Sequence, residues 1–145
     1  MPANRFSFAR TQPPHPVHAA LLAGSLSLFL GALLSDWAYA ATYQIQWTNF
    51  AAWLIAGALV FSGVAMLFAI WDVIRSAGRG LLYLLLLVAT FLLGLVNALV
   101  HAKDAWAAMP AALILSVVVA VIAFAATWIG FAALRPAVSS EGDRA

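Results

Sequence analysis

Four apolar runs, each about the length of a membrane crossing, constrain this chain more than any other feature. They cover roughly residues 17–36, 50–71, 81–101 and 110–134. A helix rises 1.5 Å per residue, so about 20 apolar residues cross about 30 Å of hydrocarbon. The ionisable side chains fall at the ends of these runs or between them. The 145 residues are 66 % hydrophobic and 8 % charged, where a soluble domain carries about 25 % charged residues. Such a chain cannot cover a water-facing surface, and lipid is the solvent for most of it.

The connections are short: "SDWAYAATYQIQWTN", "DVIRSAGRG" and "HAKDAWAAMP". Short links between sequential helices favour antiparallel neighbours. The expected fold is all-α, an antiparallel four-transmembrane-helix bundle forming a single domain over residues 15–135, with tails at 1–14 and 136–145. An even number of crossings puts both termini on one side. That side holds Arg5, Arg10, Arg75, Arg79, Arg135 and Arg144, and the other holds only Lys103. The bias predicts cytoplasmic termini and a cytoplasmic 72–80 link in a bacterial inner membrane. A net charge of +2 with dispersed arginines lacks the clustered basic face of a nucleic-acid binder. The absence of cysteine excludes disulfides, thiolate metal sites and covalently attached haem.

The first run allows a competing reading. It is followed by Ala38-Tyr39-Ala40, a small-x-small pattern like a signal-peptidase site. Its apolar stretch exceeds the roughly 7–15 residues of a signal core, so the run is read as a retained helix. Tryptophans Trp37, Trp47 and Trp106 are expected at the outer interface and Trp71 at the inner one. Trp53 and Trp128 lie deeper and are expected to have structural roles.

Lipid tails are as apolar as leucine, so membrane helices associate by close approach and hydrogen bonding. Small residues at four-residue spacing predict the contact faces. They are Ala23, Ser27, Gly31 and Ser35 in the first span, and Ala52 and Ala56, then Ala58 and Ser62, in the second. The third has Thr90, Gly94, Ala98 and Ala102, and the fourth Ala112, Ser116 and Ala120, then Ala126 and Gly130. Gly31, Gly94 and Gly130 are the expected structural glycines. Large residues such as Phe29, Phe61, Phe91 and Phe124 are expected to face lipid or to fill wider gaps.

Candidate chemistry gathers at the two ends. Asn97, His101 and Asp104 are spaced four and three apart, which places them on one helical face. Asp36 ends the first run on the same side of the membrane. The four side chains form a candidate site for haem b, a quinone, a metal or a proton; the competing reading is a hydrogen-bonded lid fixing the first span against the third. At the other end, His15 and His18 flank Pro16, which suits a first helical position because its missing N–H needs no partner there. This pair is the candidate metal site, although a structural zinc site takes about four ligands. Asp72, Arg75 and Arg79 read as an ion-paired helix end, since Asp72 alone would oppose its own helix dipole. His18 and His101 lie about 30 Å apart by helix rise, so they cannot share one haem within a bundle.

The ordered pieces "HPVHAALLAG…SDWAY", "AGALVFSGVAMLFAIWD", "RGLLYLLLLVATFLLGLVNALVHAKDAW" and "LILSVVVAVIAFAATWIGF" resemble a bacterial membrane-protein family called domain of unknown function 2231. The likeness covers roughly residues 14–134. It rests on His15, Pro16, His18, Asp36, Asp72, Arg79, Gly80, Asn97, Ser116, Trp128 and Gly130. The family pattern often places a histidine shortly after the Arg-Gly pair, where this chain has Tyr83. The resemblance implies the four-helix architecture and no particular reaction.

No nucleophile elbow, phosphate loop or metalloprotease motif is present, and no ionisable group sits at mid-membrane depth as in ion-coupled carriers. The expected function is therefore a non-enzymatic accessory, anchor or assembly subunit without a cofactor. Its expected partners are the lipid bilayer, a second copy, or a membrane or periplasmic redox partner. The alternative is an electron-transfer module holding haem b or a quinone near His101 and Asn97. A small-solute channel or carrier has no sequence support.

Overall fold

Each apolar run becomes a helix because backbone N–H and C=O groups in hydrocarbon must be satisfied within the segment. The computed structural model describes residues 16–75 and 80–132. His15, Arg79 and both tails lie outside the described residues. Four long helices are present: α1 (Pro16–Thr42), α2 (Gln46–Arg75), α3 (Leu81–His101) and α5 (Ala111–Ala132), with a single turn α4 (Ala105–Ala108) before the last. All four long helices are long and apolar enough to cross a membrane.

Local chemistry sets the ends. Pro16 opens α1 as its first residue. The helix continues past Asp36 to Thr42, because nothing in Trp37–Thr42 breaks it. It stops at Tyr43, whose φ of 56° is left-handed. Gly80 precedes α3 with a φ of 89°, a conformation that costs glycine least. After His101 the chain leaves the helix, and the Asp104 carbonyl accepts from the Ala107 and Ala108 amides to form α4.

The helices form a ring in the order α1, α2, α3, α5 and back to α1. Neighbours are antiparallel, as contacts such as Gly24 with Phe61 and Gly31 with Leu54 show. One end, here the distal end, carries Asp36, His101 and the links 43–45 and 102–110. The other, the terminal end, carries His18, Tyr83 and Gly130. Two apolar clusters fill the ring. Phe29, Ala32, Ala51, Ile55, Ala58, Val119 and Ala123 form one. Leu22, Ala65, Ala69, Leu87 and Ala126 form the other, toward the terminal end.

The small-residue ladders are in register on α5, where Ala112, Ser116, Ala120, Ala126 and Gly130 are all buried. On α1 the expected ladder is displaced. Ala23 and Ser27 are exposed and Gly31 is half-buried, while the inward stripe is His18, Leu22, Ser25, Phe29, Ala32, Ser35, Asp36 and Tyr39. Phe29 occupies the interior because Gly94 leaves room for it: a Cβ at position 94 would lie 3.0 Å from the Phe29 ring and 3.1 Å from Leu59. On α2 the stripe is Ala51, Ile55, Ala58, Ser62, Ala65 and Ala69; it contains the expected Ala58 and Ser62 and lies one position from the expected Ala52 and Ala56. Trp53 and Trp128 face outward, 80 % and 62 % exposed, so neither packs into the bundle.

The glycine contacts give a direct test. Substituting Gly94 by Ala forces a methyl against Phe29 and Leu59 from inside the ring, and is expected to cost about 1–3 kcal/mol. Gly31→Ala meets only the Cδ atoms of Leu54, the nearer at 3.3 Å, the flexible end of a side chain that can shift, and is expected to cost less than Gly94→Ala. Unfolding of the purified variants in mixed detergent micelles measures the difference.

Candidate functional site

A carboxylate inside a membrane bundle is costly unless hydrogen bonds and an opposite charge satisfy it. Asp36 is 0 % exposed, and two other helices supply what it needs. Asp36 Oδ1 lies 2.8 Å from His101 Nε2 at the end of α3. Asp36 Oδ2 accepts a hydrogen bond from Ser116 Oγ of α5 at 2.5 Å. Asn97 Nδ2, one turn before His101, donates to Ser116 Oγ at 2.8 Å. His101 Nδ1 reaches the Asn97 backbone carbonyl at 2.9 Å. The result is a closed knot joining α1, α3 and α5. Because α1 and α3 are opposite members of the ring, the Asp36–His101 bond spans its diagonal.

Asp36, Asn97 and His101 thus come together as their sequence positions imply. Asp104 does not join them. α3 ends at His101, Asp104 has non-helical backbone angles (φ −53°, ψ 138°), and its side chain is exposed. The spacing that placed it on the Asn97 face holds only for a continuing helix. Ser116 is the member that sequence reasoning missed. Its position on the small-residue ladder of α5 was the available signal, since a hydroxyl there faces the interior. Ser62 and Thr90, at comparable interior positions, instead bond their own helices at Leu59 O and Leu86 O. Two buried polar atoms, Asn97 Oδ1 and Thr48 Oγ1, have no hydrogen-bond partner among the described residues.

The knot contains the side-chain types of a hydrolase triad without its connectivity. In a triad, the base histidine bonds the serine on one ring nitrogen and the acid on the other. Here Asp36 bridges His101 and Ser116, and the second nitrogen of His101 is turned to a backbone carbonyl. His101 is therefore not placed to take a proton from Ser116. A haem or metal ligand needs a ring nitrogen free to coordinate, often with the other nitrogen oriented by a carbonyl. The orienting bond exists at Nδ1, but Nε2 faces Asp36.

At the terminal end, His18 is buried at 3 % exposure, and its Nε2 lies 2.5 Å from the Tyr83 hydroxyl. Asp72, exposed at the end of α2, acts electrostatically on both. Tyr83 is the side chain that meets His18 at this end. Of the proposed metal pair, His18 is engaged with Tyr83 and His15 lies outside the described residues. No group of three or more ligand side chains occurs among the described residues. Arg75 does not pair with Asp72: its guanidinium sits 5.5 Å from the Trp71 ring centre. Among the described residues the ion pair is Asp36–His101. Gly130 packs beside this group, where a Cβ would lie 2.9 Å from Leu22 and 3.2 Å from Tyr83.

Removal of the partners ranks their importance. His101→Ala leaves a buried carboxylate without its counter-group and is expected to cost about 3–5 kcal/mol. Ser116→Ala removes one hydrogen bond to that carboxylate and is expected to cost about 1.5–3 kcal/mol. Asp104→Ala, on an exposed side chain, is expected to stay within about 0.5 kcal/mol. Equilibrium unfolding in detergent checks the order.

Neither the comparison with curated proteins nor that with solved structures finds a match. A family model does match, over residues 14–135, described as "Predicted membrane protein (DUF2231)". The match takes in the whole bundle, from the residue before His15 to just beyond α5. Asp36, Asn97, His101, Ser116, His18 and Tyr83 all lie within it, and the chain belongs to the DUF2231 family of membrane proteins.

Proposed function

We propose that the protein is a non-enzymatic accessory or anchor subunit of the bacterial inner membrane. The observation that carries this reading is that the ionisable groups and the hydroxyl of the knot are engaged within the chain, although Asn97 Oδ1 has no partner among the described residues. Both Asp36 oxygens, both His101 ring nitrogens and the Ser116 hydroxyl are engaged with groups of the same chain. Its best-placed polar residues thus hold helices together, leaving the outer apolar faces for lipid or for another membrane helix. The arginine bias supports cytoplasmic termini and a periplasmic position for the knot. The partners that fit are the bilayer and a second copy or a membrane-bound or periplasmic protein, including a redox protein.

The competing electron-transfer reading takes support from the His101 Nδ1 contact with a carbonyl, which is how proteins orient ligating imidazoles. It requires His101 Nε2 to leave Asp36 and a second axial ligand from another subunit. Protein purified in mild detergent from its native membranes distinguishes the two. The accessory reading predicts a stable complex of fixed stoichiometry, with no haem Soret band and no quinone bound in proportion to the chain. A Soret band or one quinone per chain, lost in a folded His101→Gln protein, would replace it with the electron-transfer reading.

A further inference from the structure

Donor and acceptor counting fixes how many protons the knot holds. A backbone carbonyl only accepts, so His101 Nδ1, 2.9 Å from Asn97 O, carries a hydrogen. The Ser116 oxygen receives the Asn97 amide, and its single hydrogen goes to Asp36 Oδ2. That leaves the 2.8 Å contact between Asp36 Oδ1 and His101 Nε2, which also needs a hydrogen. Two arrangements supply it. One is an imidazolium facing a carboxylate, and the other is a neutral imidazole accepting from a carboxylic acid. Both contain the same number of protons, and in both the pair has no net charge.

With one proton fewer, the ring keeps a single N–H. One of its two contacts then sets lone pair against lone pair, either Nε2 against Asp36 or Nδ1 against the Asn97 carbonyl. The pair also acquires a net negative charge at a place where Asp36 is 0 % and His101 7 % exposed, which a low-dielectric surrounding penalises. No neighbouring helix offers compensation. α2 has no ionisable side chain from Gln46 to Trp71, and α5 has none from Ala111 to Ala132. On α1 the other inward titratable group toward this end is Tyr39, and Lys103 and Asp104 are exposed beyond the end of α3.

We propose that Asp36 and His101 form a binding site for a single proton, taken from the aqueous phase at the distal end, that closes that end of the bundle. With the proton bound, α1, α3 and α5 are tied together. When it leaves to water, the pair passes from neutral to singly negative and one tie opens. This inference does not depend on the accessory role, but it shares the Asp36–His101 contact with that reading and fails if His101 Nε2 is instead a cofactor ligand.

Nitrogen-15 NMR of the histidine-labelled full-length protein in lipid bilayers tests it, because the chain has 3 histidines and His15→Gln and His18→Gln variants assign them. At neutral pH the His101 ring is expected to carry hydrogen on Nδ1, with Nε2 either protonated or accepting from Asp36. Raising the pH is expected to produce one single-proton shift at His101. In Asp36→Asn, whose amide can donate to Nε2 while its carbonyl accepts from Ser116, that shift is expected to vanish. A neutral ring at neutral pH with its hydrogen on Nε2 and a bare Nδ1 overturns the proposal, as does a folded Asp36→Asn protein that keeps the transition. If Asp36→Asn does not accumulate, the wild-type tautomer decides alone.

Discussion

A carboxylate buried in a membrane bundle has to be satisfied, and Asp36 sets that requirement for this fold. Without bound partners it would draw water inward or push α1 out of the ring. His101 and Ser116 answer it from two other helices, and Asn97 holds both answering groups in place. The arrangement links α1 to α3 across the ring and to α5 along its edge. α2 is held differently, by the small inward faces of Ala51, Ala58, Ser62, Ala65 and Ala69. These let it lie close to α1 and α3, where dispersion contacts at short range supply the attraction that lipid cannot.

α1 has a special position in this scheme. Its inward stripe carries a polar group toward each end, His18 near the start and Asp36 some 18 residues later, about 27 Å apart by helix rise. Between them lie Leu22, Ser25, Phe29 and Ala32. Each polar group meets a partner on α3, Tyr83 at one end and His101 at the other. The diagonal pair α1 and α3 is thus fastened at both ends by side-chain hydrogen bonds, with apolar packing of Phe29 over Gly94 between them. A partner subunit binding outside the ring would meet a bundle whose interior is already fixed.

The crossings and the identity of three knot residues were legible in the sequence, because lipid as solvent leaves few places for polar groups. Asp36, Asn97 and His101 stood out for that reason. The register of α1 was not legible. Small residues occur on more than one face of that helix, so the ladder through Ala23, Ser27 and Gly31 competes with the true stripe through Leu22, Ser25 and Phe29. What decides between them is the fit of Phe29 to Gly94, a property of two helices at once. Ser116 was hidden for a similar reason. A serine in a membrane helix ordinarily bonds its own backbone, and only the position of α5 between α1 and α3 turns its hydroxyl toward Asp36. Asp104 was misplaced because helical spacing was carried past the residue where the helix stops.

A double-mutant cycle between Asp36 and His101, read by unfolding in detergent, measures whether the knot holds the bundle. If the carboxylate is the group that must be satisfied, deleting it relieves the loss of its partner. The double Asp36→Ala, His101→Ala protein should then be at least as stable as His101→Ala alone, with a coupling of more than about 1.5 kcal/mol. Additive losses from the two substitutions, with no coupling beyond about 0.5 kcal/mol, would contradict the central place given to Asp36.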